Sequence, residues 1–221
     1  QHSGVPGLDR PLVPARQSPR KPLDRPVVLI GPMAVGKSAV GQQLAQQLGA
    51  RFVDTDVEVV AQHGSIADIF ANRGECAFRE LEARAVAQAI ELAVGGHPAS
   101  ESTAGTGTVI SLGGGAVLDS GTQQLLANCT VVYLECDAET VSERIARNSG
   151  RPLLAGDAME RWRTLFATRQ PVYERLADLT LDVRSGSVQD LARRLQDALE
   201  ERSATSTAAT RTPAATRKVE K

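Results

Sequence analysis

A run of consecutive apolar residues, Val27–Ile30, is followed at once by Gly31-Pro32-Met33-Ala34-Val35-Gly36-Lys37-Ser38 and then by helical text from about Lys37 to Leu48. This is G-x-x-x-x-G-K-[ST] in the strand–loop–helix setting that gives the motif its meaning. The glycines let backbone N–H groups turn inward around phosphate oxygens, and the helix N-terminus adds partial positive charge. A lysine at Lys37 reaches the β- and γ-oxygens of a nucleotide, and a hydroxyl at Ser38 can hold Mg²⁺. The plainer alternative is a tight strand-to-helix turn whose lysine is merely solvated. Lysine otherwise occurs only at Lys21, Lys218 and Lys221, arginine filling nearly every other basic position. A compact ammonium fits among phosphates where the planar fork of arginine is broad, so the retained lysine favours the phosphate reading.

Around this loop, short β-branched runs alternate with longer helical patterns. Strands are expected at Val27–Ile30, Phe52–Asp54, Thr108–Leu112, Val131–Leu134 and Leu179–Val183. Helices are expected from Lys37 to Leu48, up to about Val94, near Gly121–Ala127, from Asp137, from Ala158, and finally to about Glu200. Such alternation predicts an α/β fold, a parallel sheet covered by helices on both faces. The unbroken apolar runs Val27–Ile30 and Val131–Leu134 mark central strands buried on both sides. Ser65/Asp68 and Ser187/Asp190 have the spacing of helix-capping boxes. The folded body is expected at 24–201, between a Pro- and Arg-rich arm at 1–23 and an Ala/Thr/Ser tail at 202–221, both read as disordered. Gly95–Gly107 reads as a mobile surface loop.

Composition narrows the function. With 25 Lys+Arg against 26 Asp+Glu the net charge is −1, which gives no electrostatic footprint for nucleic acid, and no apolar stretch approaches a membrane span. The three cysteines, Cys76, Cys129 and Cys136, form neither a disulfide framework nor a zinc knuckle, pointing to a reducing cytosol.

Two further groups fall where open α/β sheets place ligands, at the C-terminal ends of strands. Asp54-Thr55-Asp56 follows the second strand: one carboxylate is suited to support Mg²⁺ through water, the other to accept an acceptor's hydroxyl proton; the alternative is a helix cap. Gly113-Gly114-Gly115 ends the third strand and lets backbone approach a small ligand closely, or else marks a turn needing positive φ. Arg151, in Gly150-Arg151-Pro152-Leu153-Leu154, stands in a Gly/Pro-bounded segment (about 148–157) of the kind that closes over phosphates, against the alternative of a plain loop. Arg79 is spaced to pair with Glu75 or Glu82 on its own helix. Arg169 precedes Gln170-Pro171, a proline expected to kink or interrupt its helix. Arg147 and Arg184 are candidates for stacking on adenine, or solvated charges. His63 and His97 read as surface residues.

The order of these features, including Phe78-Arg79-x-x-Glu82, Arg151-Pro152-Leu153-Leu154 and Arg169-x-Pro171-x-Tyr173, strongly resembles the shikimate kinase family over about Val27 to Leu199. The resemblance implies a three-layer P-loop kinase fold with a five-stranded parallel sheet in order 2-3-1-4-5. It implies transfer of the γ-phosphoryl of ATP, the co-substrate, to the 3-hydroxyl of shikimate, with one Mg²⁺ per subunit, in a cytoplasmic monomer of the aromatic amino acid pathway. Asp56, Arg79, Arg169 and the backbone at Gly114 and Gly115 would bind shikimate, the arginines through its carboxylate, and Asp56 would orient or deprotonate the hydroxyl. Lys37 and Arg151 would stabilise the transferring phosphoryl; Ser38 would ligate Mg²⁺ and Asp54 support it through water. ATP would meet Gly31, Ala34, Val35, Gly36, Lys37, Ser38, Ala39, Arg147, Arg151 and Arg184. The sequence departs from the family pattern at Ala34, where a second glycine is common, and at Ala39, where threonine is frequent. The rival readings are a kinase for another polyol acid such as gluconate, and a nucleotide-binding protein without turnover.

Overall fold

A computed structural model describes residues 23–95, 107–149 and 155–210; most of the Gly95–Gly107 loop, Arg151 and the outer parts of both termini lie outside the described residues. Five strands, β1 (Val27–Ile30), β2 (Arg51–Asp54), β3 (Thr108–Ser111), β4 (Thr130–Glu135) and β5 (Leu179–Asp182), form one sheet. All are parallel, in the order β2-β3-β1-β4-β5, as the alternation and the resemblance predict. The helices are α1 (Lys37–Leu48), α2 (Thr55–His63), α3 (Ile66–Val94), α4 (Ser120–Leu126), α5 (Ala138–Ser149), α6 (Ala155–Leu176) and α7 (Val188–Thr210), with a 3₁₀ turn at Ala116–Leu118.

The unbroken apolar runs of the central strands, Val27–Ile30 and Val131–Leu134, are buried because each face meets its own core. Val27 and Leu29 of β1, with Val132 and Leu134 of β4, pack with Val40 and Leu44 of α1 and Leu191 and Leu195 of α7. Val28 and Ile30, with Val131 and Tyr133, pack with Val86 and Ile90 of α3 and Tyr173 of α6. A separate small cluster, Val59, Ile69, Phe78 and Leu81, joins α2 to α3 beside the ligand edge. Ser65 and Ser187 cap their helices as the spacing predicts, each hydroxyl accepting from the backbone N–H three residues on, at 3.1 Å. None of the described helices is long and apolar enough to cross a membrane.

Two helices run past the ends expected for them. α6 continues through Pro171 to Leu176 without interruption. The cost of an interior proline, about 3 kcal/mol, is outweighed because Trp162, Arg169 and Tyr173 are all buried along one face of this helix. α7 continues to Thr210 instead of ending near Glu200. Arg202 pairs with Asp178 at 2.8 Å and Ser203 donates to Asp24 at 2.9 Å, tying down a segment whose alanines favour helix.

Candidate active site

The loop after β1 closes around the ammonium of Lys37. Its Nζ donates to the carbonyls of Gly31 at 2.9 Å and Pro32 at 2.7 Å, and the side chain is buried. Burial pushes the Lys37 pKa down to about 8, opposed by the carboxylates of Asp56 and Asp54 and reinforced by Arg169. The loop carries left-handed backbone at Gly36 (φ 92°) and also at Ala34 (φ 63°), where an L-residue costs about 1–2 kcal/mol. The departure at Ala34 is therefore a strained position. Gly31 has its own reason: a Cβ there would lie 2.8 Å from the Leu134 carbonyl oxygen. Val35 is buried, while Ala39 stands exposed in the first turn of α1.

Asp54 combines both expectations raised for it. Its Oδ1 caps α2, accepting from the backbone N–H of Asp56 at 3.0 Å and of Val57 at 3.3 Å, while Oδ2 accepts from the Ser38 hydroxyl. The helix cap thus fixes the carboxylate against the phosphate loop. Asp56, the second residue of α2, is different. Its Oδ1 is buried and accepts no hydrogen bond among the described residues, an orphan that calls for a ligand donor. Burial, then the neighbouring Asp54, hold its carboxyl above the usual carboxylate range, against the pull of Lys37 and Arg79.

The glycine trio is required for space, since positive φ is found elsewhere in the chain and not at these three positions. This corrects the turn alternative. A Cβ on Gly113 would come within 2.5 Å of Glu82 Oε1 and 2.7 Å of Asp56 Oδ1, and one on Gly114 would touch Arg169 and the Met33 backbone N at 3.4 Å. A Cβ on Gly115 would fall on the Arg79 guanidinium. The three bare residues therefore form a shelf around which Asp56, Arg79, Glu82 and Arg169 converge. Arg79 is held by Glu82 at 2.8 Å and Glu75 at 3.4 Å, so the helical pairing expected from spacing also aims it at the shelf. Tyr173 donates to the Gly114 carbonyl at 2.5 Å. Gly115 has φ −96°, a conformation alanine adopts freely, so Gly115→Ala tests the contact alone. It is expected to displace Arg79 and raise KM for a carboxylated acceptor about tenfold or more, the loss of a charge-assisted hydrogen bond, while KM for ATP holds; steady-state kinetics with each substrate varied decides this.

On the other side of the loop lies a cavity of about 630 Å³ lined by Val35, Gly36, Arg144, Arg147 and Arg184 among others. Arg184 is clamped by Asp182 at 2.9 and 2.6 Å, and Arg147 pairs with Glu143 at 3.2 Å. Sequence reasoning passed over Arg144, which donates to the carbonyls of Val35 at 3.0 Å and Val183 at 2.5 Å and ties the phosphate loop to the end of β5. Its signal is helical spacing: three residues after buried Val141, it faces inward. Glu82 was legible only as a partner of Arg79, although it is itself buried on the shelf, where burial raises its pKa and Arg79 opposes the rise. Arg151 lies outside the described residues. His63 is exposed, and His97 is not described.

A parallel sheet of this strand order, with a glycine-lysine-serine loop on its central strand and a carboxylate and two arginines beside it, defines a P-loop small-molecule kinase. The chain belongs to the shikimate kinase family: the family model described as shikimate kinase matches residues 33–200. A shikimate kinase of Streptomyces coelicolor is 41% identical over 175 residues, 79% of this chain and 95% of that protein. One of Mycobacterium tuberculosis is 43% identical over 157 residues, 70% of this chain and 82% of that protein. Among solved structures, a shikimate kinase from Acinetobacter baumannii in complex with shikimate superposes with a TM-score of 0.69 at 29% identity, covering 80% of this chain and 94% of that one.

Proposed function

We propose that this chain transfers the γ-phosphoryl of ATP to the 3-hydroxyl of shikimate, giving shikimate 3-phosphate and ADP for aromatic amino acid biosynthesis. The observation that supports it best is the orphaned, buried Oδ1 of Asp56 on a shelf flanked by two guanidiniums, within electrostatic reach of Lys37. Arg79 and Arg169 are suited to a carboxylate, and bare backbone at Gly114 and Gly115 to ring hydroxyls. Asp56 accepts the proton of the attacking hydroxyl as its oxygen bonds to phosphorus and the bond to ADP breaks. Lys37 and, from the family motif, Arg151 stabilise charge on the phosphoryl group. ATP is held by Gly31, Ala34, Val35, Gly36, Lys37, Ser38 and Ala39, with Arg147 and Arg184 on the adenine side.

No group of three or more metal-ligating side chains is present among the described residues, and a hydroxyl bonded to a carboxylate, Ser38 with Asp54, faces the phosphate loop. That sparse hard-oxygen set fits Mg²⁺, which keeps waters and takes phosphate oxygens. Ser38, with Asp54 through water, would hold the ion, which would supply neutralisation of phosphate charge. The enzyme is read as a cytoplasmic monomer.

Arg79→Ala and Arg169→Ala test the acceptor assignment. Each is expected to raise KM for shikimate about thirtyfold or more, the cost of truncating one partner of a buried charge pair, and to change KM for ATP little. Full acceptor affinity in both variants contradicts the shelf as the acceptor site. The pH profile offers a second check. Lys37 must be charged to bind phosphate, and in the free protein it is charged below about 8. kcat/KM for ATP should therefore fall as pH rises through about 8, whereas kcat, which reports the nucleotide complex, holds to higher pH because the phosphates restore the charged form. A kcat/KM that stays level well beyond this pH refutes the assignment.

A further inference from the structure

We propose that Trp162 is a positioning residue for the phosphate loop, its indole N–H fixing the Met33–Ala34 peptide in the orientation that nucleotide binding needs. The inference rests on the nucleotide-binding reading of that loop. The bond is direct: Nε1–H of Trp162 donates to the Met33 carbonyl at 3.0 Å. Trp162 is only 2% exposed and stacks on Phe166 with ring centroids 4.8 Å apart, so the donor is delivered from a rigid base.

The loop needs such a support at this point. The carbonyls of Gly31 and Pro32 are taken from inside the loop by Lys37, but the Met33 side chain is 54% exposed and gives the next peptide little packing. The following residue, Ala34, is the one non-glycine residue with positive φ among the described residues, a conformation its Cβ disfavours. A trans peptide carries its N–H antiparallel to its C=O. Tying the Met33 oxygen to Trp162 therefore commits the Ala34 N–H to the opposite side, away from α6. Trp162 does this from the helix that also carries Arg169 and Tyr173, seven and eleven residues on and on the same helical face. Tyr173 holds the Gly114 carbonyl, and a Cβ on Gly114 would lie 3.4 Å from the Met33 backbone N. One face of α6 thus supports the nucleotide loop and the acceptor shelf together.

The chain contains a single tryptophan, so emission excited selectively at the indole reports the surroundings of Trp162. Titrating the protein with Mg·ADP should shift Trp162 emission saturably, with the midpoint found calorimetrically. Trp162→Phe keeps an aromatic ring and removes the donor; it should lower kcat/KM for ATP roughly five- to tenfold, the value of one neutral hydrogen bond, with KM for shikimate changed less than about twofold. Calorimetric ADP binding with no emission change overturns the proposal. So does a Trp162→Phe enzyme of parental Tm whose kcat/KM for ATP stays within about twofold of the parent. If that variant does not fold, the emission titration of the parent decides. Absence of ADP binding in the calorimeter removes the nucleotide reading itself, and this inference with it.

Discussion

Replacing Lys37 by alanine is expected to lower kcat about a thousandfold or more, the scale of removing a preorganised charge from a developing phosphoryl transition state. The ammonium is buried, caged by two loop carbonyls, and held within the field of Asp54 and Asp56. Water entering the truncated site supplies neither the charge nor the geometry. Lys37→Arg should rescue little of the loss, because the planar fork does not fit a cage built for a point charge. The check is single-turnover phosphoryl transfer with a parallel thermal melt. A parental Tm with lost turnover is the expected pair; retained turnover in Lys37→Ala contradicts the assignment.

The second large effect is expected at Asp56. Asp56→Asn preserves shape but leaves no base for the hydroxyl proton, and kcat should fall about 10²–10⁴-fold, with KM for shikimate changing far less. A linked consequence separates this from general damage. The Asp56 charge raises the Lys37 pKa, so its removal should move the basic limb of kcat/KM for ATP below its parental position near 8. Measured pH profiles of the parent and Asp56→Asn test both together. An unchanged basic limb shows that the two groups do not share one site.

What the sequence revealed is mostly local or periodic. β1 and β4 were legible because burial on both faces writes an unbroken apolar run, and the start of α1 because the phosphate loop sets it. The acidic pair and the glycine trio were placed at the ligand edge because strand ends are where motifs of this kind project. What stayed hidden depends on contacts distant in sequence. Pro171 sits inside a helix because the buried face of α6 outweighs the local cost. The trio is glycine to admit Arg79 and Glu82 from α3 and Asp56 from α2, and no local signal distinguishes that from a turn. That Arg144 reaches Val35 and Val183 while Arg147 pairs with Glu143 depends on how α5 packs. The bonds from Trp162 to Met33 and Tyr173 to Gly114 span 129 and 59 residues, beyond the reach of any motif.

The reaction and its acceptor are measured together by ADP release from Mg·ATP, compared without acceptor, with shikimate and with gluconate at equal concentration. Release is expected only with shikimate. Release with gluconate alone would keep the fold and the phosphate loop but overturn the acceptor shelf, and no release with either acceptor from protein that binds ATP would contradict the kinase.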